Sequence, residues 1–137
     1  MYLRFVSPLK HGGSARPRDL HMGIFQAVIH CRDDVEMPTW LHRHLIVEMK
    51  WFNEYLPCPA DHYFDRTHVG HIHPDPICWF KSGAKRFIDR AWTLKALLEE
   101  AGVPLAVVHT SEPGSISYQD KYQIVAHPLR TDLPKFG

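Results

Sequence analysis

The sequence predicts an α+β fold, in which a single mixed β-sheet carries about three helices packed on it. Two long apolar stripes have helical spacing, and short runs of β-branched and aromatic residues separate and follow them. A short polar connection joins the last two of these runs, which is typical of a C-terminal β-hairpin. The predicted order is β-α-α-β-α-β-β-β. Residues 1–137 are expected to form one domain, in which residues 130–137 are a tail.

The first 56 residues predict a strand, a loop and two helices. Residues 2–6 alternate strand-forming side chains and stop before a proline, while residues 9–21 are rich in glycine, proline and cations, as loops are. Residues 23–32 favour a short helix, and their β-branched content leaves a strand as the alternative. Residues 38–56 predict a longer helix. Its apolar stripe runs at spacings of three and four: Leu41, Leu45, Met49, Phe52 and Leu56.

The second half of the chain predicts a strand–helix–strand unit followed by the hairpin. Residues 57–76 contain four prolines and no period, so they predict a long irregular connection. A buried strand at 76–81 leads into a helix at 83–101, for which Ser82 is the expected N-cap and Gly102 the expected terminating residue. The remaining strands are predicted at 105–109, 116–118 and 122–126.

The composition limits the kinds of partner and the cellular compartment that we expect for this protein. Sixteen Lys and Arg against fifteen Asp and Glu give a net charge of +1, which argues against broad nucleic-acid binding but leaves room for a local basic patch. Three cysteines without a Cys-x-x-Cys pair do not form a disulfide framework, so we expect reduced thiols in a cytoplasmic protein. No apolar run approaches the length of a membrane span, and no membrane partner is expected.

Several segments along the chain together resemble a family of small uncharacterised bacterial proteins. These segments are Met1-Tyr2-Leu3-Arg4-Phe5, Gly23-Ile24-Phe25-Gln26-Ala27, Trp51-Phe52-Asn53-Glu54-Tyr55-Leu56-Pro57, Ile77-Cys78-Trp79-Phe80-Lys81, Pro113-Gly114, Ile116-Ser117-Tyr118-Gln119-Asp120 and Gln123-Ile124-Val125-Ala126. The resemblance spans nearly the whole chain and implies a bacterial, intracellular, free-standing domain. It implies no activity, and it does not extend into residues 61–75.

A histidine-rich loop gives the first candidate site. His68, His71 and His73 lie close together in the sequence, and imidazole is a preferred ligand of zinc. In an extended segment His71 and His73 project to the same side, and a loop can bring His68 to join them. Three protein ligands and a water would make a hydrolytic zinc centre. The alternative is a solvated loop that is rich in histidine, because the pattern lacks the helix of a His-Glu-x-x-His motif.

A basic turn before the predicted 83–101 helix gives the second candidate site. Helix N-termini carry a partial positive charge, and added cations make them suitable for phosphate and other anions. The candidate residues are Lys81, Ser82, Lys85 and Arg86, with Arg16 and Arg18 from the first loop. The expected partner is a protein or an anionic group such as phosphate or nucleic acid. The alternative is a solvated charged face.

The tryptophans and the cysteine at 78 complete the candidates. Trp40, Trp79 and Cys78 are predicted to pack in the core. Trp51 and Trp92 fall off their helical stripes, so one of the two suits an exposed anchor for a partner. No constellation of catalytic residues beyond the histidine loop is present in the sequence. We therefore expect a non-enzymatic binding or accessory domain, with a zinc-type hydrolase that uses the histidine loop as the alternative.

Overall fold

Six strands and three helices are found in residues 1–10, 21–57 and 77–128, which are the residues that the computed structural model describes. The helices are α1 (Ile24–Cys31), α2 (Thr39–Tyr55) and α3 (Lys85–Glu100). The strands are β1 (Tyr2–Lys10), β2 (His21–Gly23), β3 (Ile77–Lys81), β4 (Ala106–Thr110), β5 (Ser115–Gln119) and β6 (Gln123–His127). None of the described helices is long and apolar enough to cross a lipid bilayer.

Strand β1 organises the sheet, because it pairs with three other strands. One edge pairs with β4 over Tyr2–Val6, and the other edge pairs with β3 at Tyr2 and Leu3 and then with β2 from Val6 onward. Strand β6 continues the sheet from β3, and β5 closes it as the hairpin partner of β6. The order is therefore β4-β1-β3-β6-β5, with β2 beside the far end of β1.

The α+β class, the single sheet, the three helices and the C-terminal hairpin are confirmed. The strand–helix–strand unit β3-α3-β4 is also present, but its two parallel strands are not neighbours. Strand β1 lies between them and pairs antiparallel with both, so all pairings among the described strands are antiparallel. Nothing local in the sequence indicates that the first strand is inserted there, because the pairing is long-range.

Strand β1 is longer than predicted and contains Pro8. The pairing with β4 ends at Val6, and a register shift separates Val6 from Lys10 in the pairing with β2. Proline cannot donate a backbone hydrogen bond, so in sheets it is confined to edges and irregularities. The ladder is both irregular and one-sided at this position within the described residues, which allows the strand to continue through the proline.

The main core lies between the three helices and one face of the sheet. Phe5 from β1 is 1% exposed and packs edge-to-face against Phe80 and Trp92, with ring centroids 6.3 and 5.4 Å apart. Burying each large side chain of this kind contributes roughly 1.5–3 kcal/mol relative to exposure. The helices contribute most of the rest of this buried cluster: Ile24, Ala27, Val28 and Cys31 from α1; Leu41, Leu45 and Phe52 from α2; Phe87, Ala91, Leu94 and Leu98 from α3.

The tryptophans divide differently from the prediction. Trp79 is 4% exposed in β3, as predicted. Trp40 is 53% exposed, so its predicted place in the core is wrong. Successive helical residues are about 100° apart, so the neighbouring Leu41 faces the core while Trp40 turns to solvent and packs on His44.

Helix α3 begins later than predicted and ends as predicted. The N–H of Ala84 donates to the carbonyl of Lys81, at 2.9 Å, and this tight turn places Ser82 before the helix. The N-cap is therefore Ala84, which is buried, and the prediction of Ser82 as the cap is wrong. At the other end Gly102 adopts φ 91°, the left-handed conformation that favours glycine.

The terminal hairpin depends on a second glycine. Gly114 adopts φ 107°, and a Cβ built there would lie 2.4 Å from the carbonyl oxygen of His127. Both the conformation and the close approach exclude larger residues. The Pro113-Gly114 turn that the sequence predicts thus places β5 directly against the end of β6.

Candidate functional site

A cleft of about 190 Å³ lies at the N-terminal end of α3. The turn before the helix and its first residues form one wall, and the β5–β6 connection forms the other. The lining residues are Gly83, Ala84, Lys85, Arg86, Phe87, Lys121 and Tyr122. Three of the seven are cations and none is acidic, which makes the cleft locally positive in a chain whose net charge is only +1.

The pairing of β3 with β6 brings the two walls together. Phe80 lies opposite Gln123 in the antiparallel register, and the N–H of Lys81 donates to the carbonyl of Tyr122 at 2.8 Å. The hairpin connection therefore sits beside the turn that leads into α3. As a result, residues about 35 positions apart in sequence share one small surface.

Backbone donors point out of the helix at this cleft. The carbonyl of Ala84 accepts from the N–H groups of Phe87 and Ile88, at 3.1 and 3.0 Å. Within the part of the chain that the structure describes, the N–H groups of Lys85 and Arg86 have no acceptor. The first turn contains no acidic residue and no side-chain cap. The partial positive charge of the helix N-terminus is therefore available to an external anion.

The side chain of Arg86 is held by aromatic rings. Its guanidinium carbon lies 4.7 Å from the ring centroid of Tyr55, 5.1 Å from that of Trp51 and 5.8 Å from that of Phe87. Stacking uses the faces of the planar guanidinium and leaves its N–H edges able to donate. Among the described residues, Arg86 is thus positioned by packing rather than by an ion pair.

The second wall is fixed by Asp120, which precedes the cation Lys121. One carboxylate oxygen accepts from the N–H groups of Tyr122 and Gln123, at 2.7 and 3.0 Å, and the other accepts from the hydroxyl of Tyr118 at 2.7 Å. Partial burial alone would raise the pKa of Asp120, but the hydrogen bonds from Tyr122, Tyr118 and Gln123 together hold that pKa below its ordinary value. The carboxylate is occupied within its own turn while Lys121 is exposed.

The predicted basic turn coincides only partly with the cleft. Lys85 and Arg86 line the cleft, whereas Lys81 ends β3, Ser82 follows it, and neither lines the cleft. Lys121 and Tyr122 were not predicted, because they come from the hairpin and only the β3–β6 pairing brings them near. Arg16 and Arg18 lie outside the described residues.

The histidine loop also lies outside the described residues, so His68, His71 and His73 and the zinc they were predicted to bind remain a prediction. In ranges 1–10, 21–57 and 77–128, no three His, Cys, Asp or Glu side chains are grouped so that they could hold a metal ion. Cys31 is buried against the helices. Its burial, and to a smaller extent the Asp34 carboxylate, raise the pKa of its thiol, which keeps the thiol protonated at neutral pH. Cys78 is half-buried in β3.

The chain was compared with protein-family models, curated proteins and solved structures. None of the three comparisons finds a match. The resemblance to a bacterial family that its segments suggest therefore stays a prediction. The function is therefore inferred from the geometry of the described residues.

Proposed function

We propose that this protein is a small binding domain that holds an anionic group of the phosphate class in the cleft at the start of α3. The observation that carries the proposal is a convergence of donors: Lys85, Arg86 and Lys121 line the same cleft as an uncapped helix N-terminus, without an acidic side chain among them. Cations there are unfavourable for the helix alone, since they oppose its dipole. A bound anion, in contrast, would interact favourably with the helix dipole and with the cations.

The donors suit phosphate because some of them give directed hydrogen bonds and the others supply charge. Backbone N–H groups and the guanidinium edge donate directed hydrogen bonds, whereas the two lysines supply mobile point charges. Charged hydrogen bonds contribute about 1.5–3 kcal/mol each, so two or three of them together correspond to dissociation constants between roughly 10⁻² and 10⁻⁷ M. Phe87 and Tyr122 give the cleft an apolar side, which suits a phosphoryl group on a larger molecule.

The proposal is tested by titrating the protein with inorganic pyrophosphate in a calorimeter, and by measuring its retention on phosphocellulose as salt is raised. The test variant is Lys85→Glu with Lys121→Glu, since both side chains are exposed. The matched control is Arg43→Glu with Lys50→Glu, which makes the same change in net charge at exposed positions of α2 that do not line the cleft.

We expect the cleft variant to lose at least tenfold in pyrophosphate affinity and to elute from phosphocellulose at lower salt than the control variant. Equal weakening in both variants would mean that only net charge matters. Unchanged binding in the cleft variant would mean that the anion binds elsewhere. Either of these outcomes would overturn the proposal.

A further inference from the structure

A second apolar stripe runs along α2, separate from the stripe that packs in the core. It consists of residues at spacings of four, three, four and four: Trp40, His44, Val47, Trp51 and Tyr55. Residues three and four apart lie on one face of a helix, so these five side chains share one surface. The exposed fractions of Trp40, Val47 and Tyr55 are 53%, 60% and 45%, and Trp51 is half-buried. We call this surface the α2 stripe.

The rings of the α2 stripe form two contacting pairs, one toward each end of the helix. Trp40 packs edge-to-face on His44, with centroids 6.1 Å apart, and the rings of Trp51 and Tyr55 are 5.3 Å apart. The other large exposed hydrophobic side chains in the described residues are scattered singly over other elements, which is normal for a surface. A continuous exposed apolar stripe of this kind marks an interaction surface.

Cations flank the α2 stripe on both sides. Arg43 and Lys50 are exposed on the same helix, one position before His44 and Trp51 respectively. On the side of α3, Arg86 lies over Trp51 and Tyr55, and Arg90 lies 4.4 Å from the centroid of Trp51.

Two carboxylates on α2 enter the same balance of charge. Glu48 is tied to Arg90 at 3.0 Å, and Glu54 is exposed one turn after Lys50. Asp89 is also exposed on α3, between Arg86 and Arg90. Four cations thus face three carboxylates, which leaves a small positive excess around the stripe. The charge complement of this surface is an acidic partner.

We propose that the α2 stripe binds an amphipathic helix of a protein partner that carries acidic residues beside its apolar face. The spacing of the exposed side chains is the spacing by which helices pack against one another. A nucleic-acid strand would need ring faces on which bases stack. Trp51 already has two guanidinium groups over its ring, and Val47, at the middle of the stripe, has no ring.

The proposal does not depend on the anion-binding cleft. Arg86 and Phe87 are near both surfaces, whereas Lys85 and Lys121 line only the cleft and Arg43 and Lys50 belong only to α2. The charge-reversal variants of the two surfaces therefore serve as controls for each other, and one proposal can fail while the other stands.

The test uses a displayed library of amphipathic helical peptides whose apolar face is fixed and whose flanking positions are randomised among Glu, Gln and Lys. The library is selected on the full chain, and the affinity of enriched peptides is measured by fluorescence anisotropy. The variant is Val47→Asp, and the matched control is Val35→Asp, at a valine that is 95% exposed and lies outside α2. Circular dichroism checks that both variants keep the fold.

We expect Glu-rich peptides to be enriched, and Val47→Asp to weaken their binding by at least about tenfold, because it places a negative charge in the middle of the apolar stripe. Val35→Asp and the Lys85→Glu/Lys121→Glu variant should bind them as the unchanged protein does, and Arg43→Glu/Lys50→Glu should bind them less tightly. Enrichment of Lys-rich peptides, no enrichment, or equal effects of the two valine changes would overturn the proposal. So would self-association or single-stranded DNA binding that Val47→Asp abolishes, because the stripe would then have another occupant.

Discussion

The two ends of α3 differ in whether their backbone groups have hydrogen-bond partners. At the C-terminal end, the N–H of Gly102 donates to the carbonyl of Glu99 at 3.0 Å, and the N–H of Val103 donates to that of Leu98 at 2.9 Å. This pair of bonds is a Schellman motif, which satisfies carbonyls that the helix leaves open. At the N-terminal end, the N–H groups of Lys85 and Arg86 have no acceptor in the described residues, and no side chain caps them.

One end of α3 is thus closed by its own chain, and the other end is the one at which we propose that an anion binds. Each cation near a helix N-terminus costs about 0.3–1 kcal/mol at an exposed site, so Lys85 and Arg86 lower the stability of the helix that carries them. Glycine and backbone hydrogen bonds close the C-terminal end of α3. The N-terminal end carries cations, which are unfavourable there. The anionic ligand that we propose for the open end would offset this cost.

The closed end provides the largest expected effect on stability. Replacing Gly102 with alanine forces a Cβ into the left-handed conformation, which costs about 1–2 kcal/mol. Urea unfolding of the variant measures this cost. The matched control is Gly83→Ala, since Gly83 has no positive φ and an added Cβ would meet nothing within 4 Å. Equal losses in the two variants would contradict the role given to Gly102.

A substitution at Asp120, in the second wall of the cleft, should have an effect of intermediate size on the free energy of unfolding. We expect Asp120→Asn to lower the free energy of unfolding by about 1 kcal/mol near neutral pH, because charged hydrogen bonds at a partly exposed site are lost. Urea titrations at several pH values measure the effect. The matched control is Asp89→Asn, at an exposed carboxylate on α3 whose side chain has no acceptor role in the described hydrogen bonds.

The pH dependence of this effect follows from the lowered pKa of Asp120. A carboxylate whose pKa is lower in the folded chain than the unfolded value of about 3.9 stabilises the fold above that pH. This stability is lost as the pH falls through the folded pKa. The difference between the unchanged protein and Asp120→Asn should therefore shrink in strong acid. A difference that stays constant from neutral pH to strong acid would contradict the assignment.

The open end gives the smallest effect on stability, and the effect has the opposite sign. Lys85→Glu replaces a cation with an anion in the first turn, so we expect it to raise the free energy of unfolding by about 0.3–1 kcal/mol at low salt. The gain should shrink as salt is added, since surface charges are screened. Urea unfolding at two salt concentrations measures both changes. A loss of stability at low salt would show that Lys85 has a structural role.

The helices and the hairpin could be predicted because their signals are local. The buried leucines of α2, the glycine after α3 and the Pro113-Gly114 turn each act within a few residues. The start of α3 could not be placed correctly, since burial of Ala84 and the turn from Lys81 override the preference of Ser82 for a cap. Trp40 was misplaced for a related reason, because it lies in the first turn, beside the true stripe.

The sheet and the candidate site depend on long-range pairing, which the sequence does not specify locally. The insertion of β1 between β3 and β4 joins residues about 100 positions apart. In the sequence, Lys121 is a charge in a polar hairpin connection. Only the register of β3 with β6 places it beside α3. Lys85 and Arg86 were predictable, since the cations and the helix that they begin are adjacent in the chain.

The central claim, that the N-terminal end of α3 is an anion site, is tested most directly by one thermal unfolding experiment. The unchanged protein and Lys85→Glu are unfolded in chloride and in pyrophosphate at equal ionic strength. A ligand that binds only the folded state stabilises it, so pyrophosphate should raise the Tm of the unchanged protein. Lys85→Glu should begin with the higher Tm in chloride and gain little or nothing from pyrophosphate. An equal gain in both proteins, or none in the unchanged protein, would contradict the account.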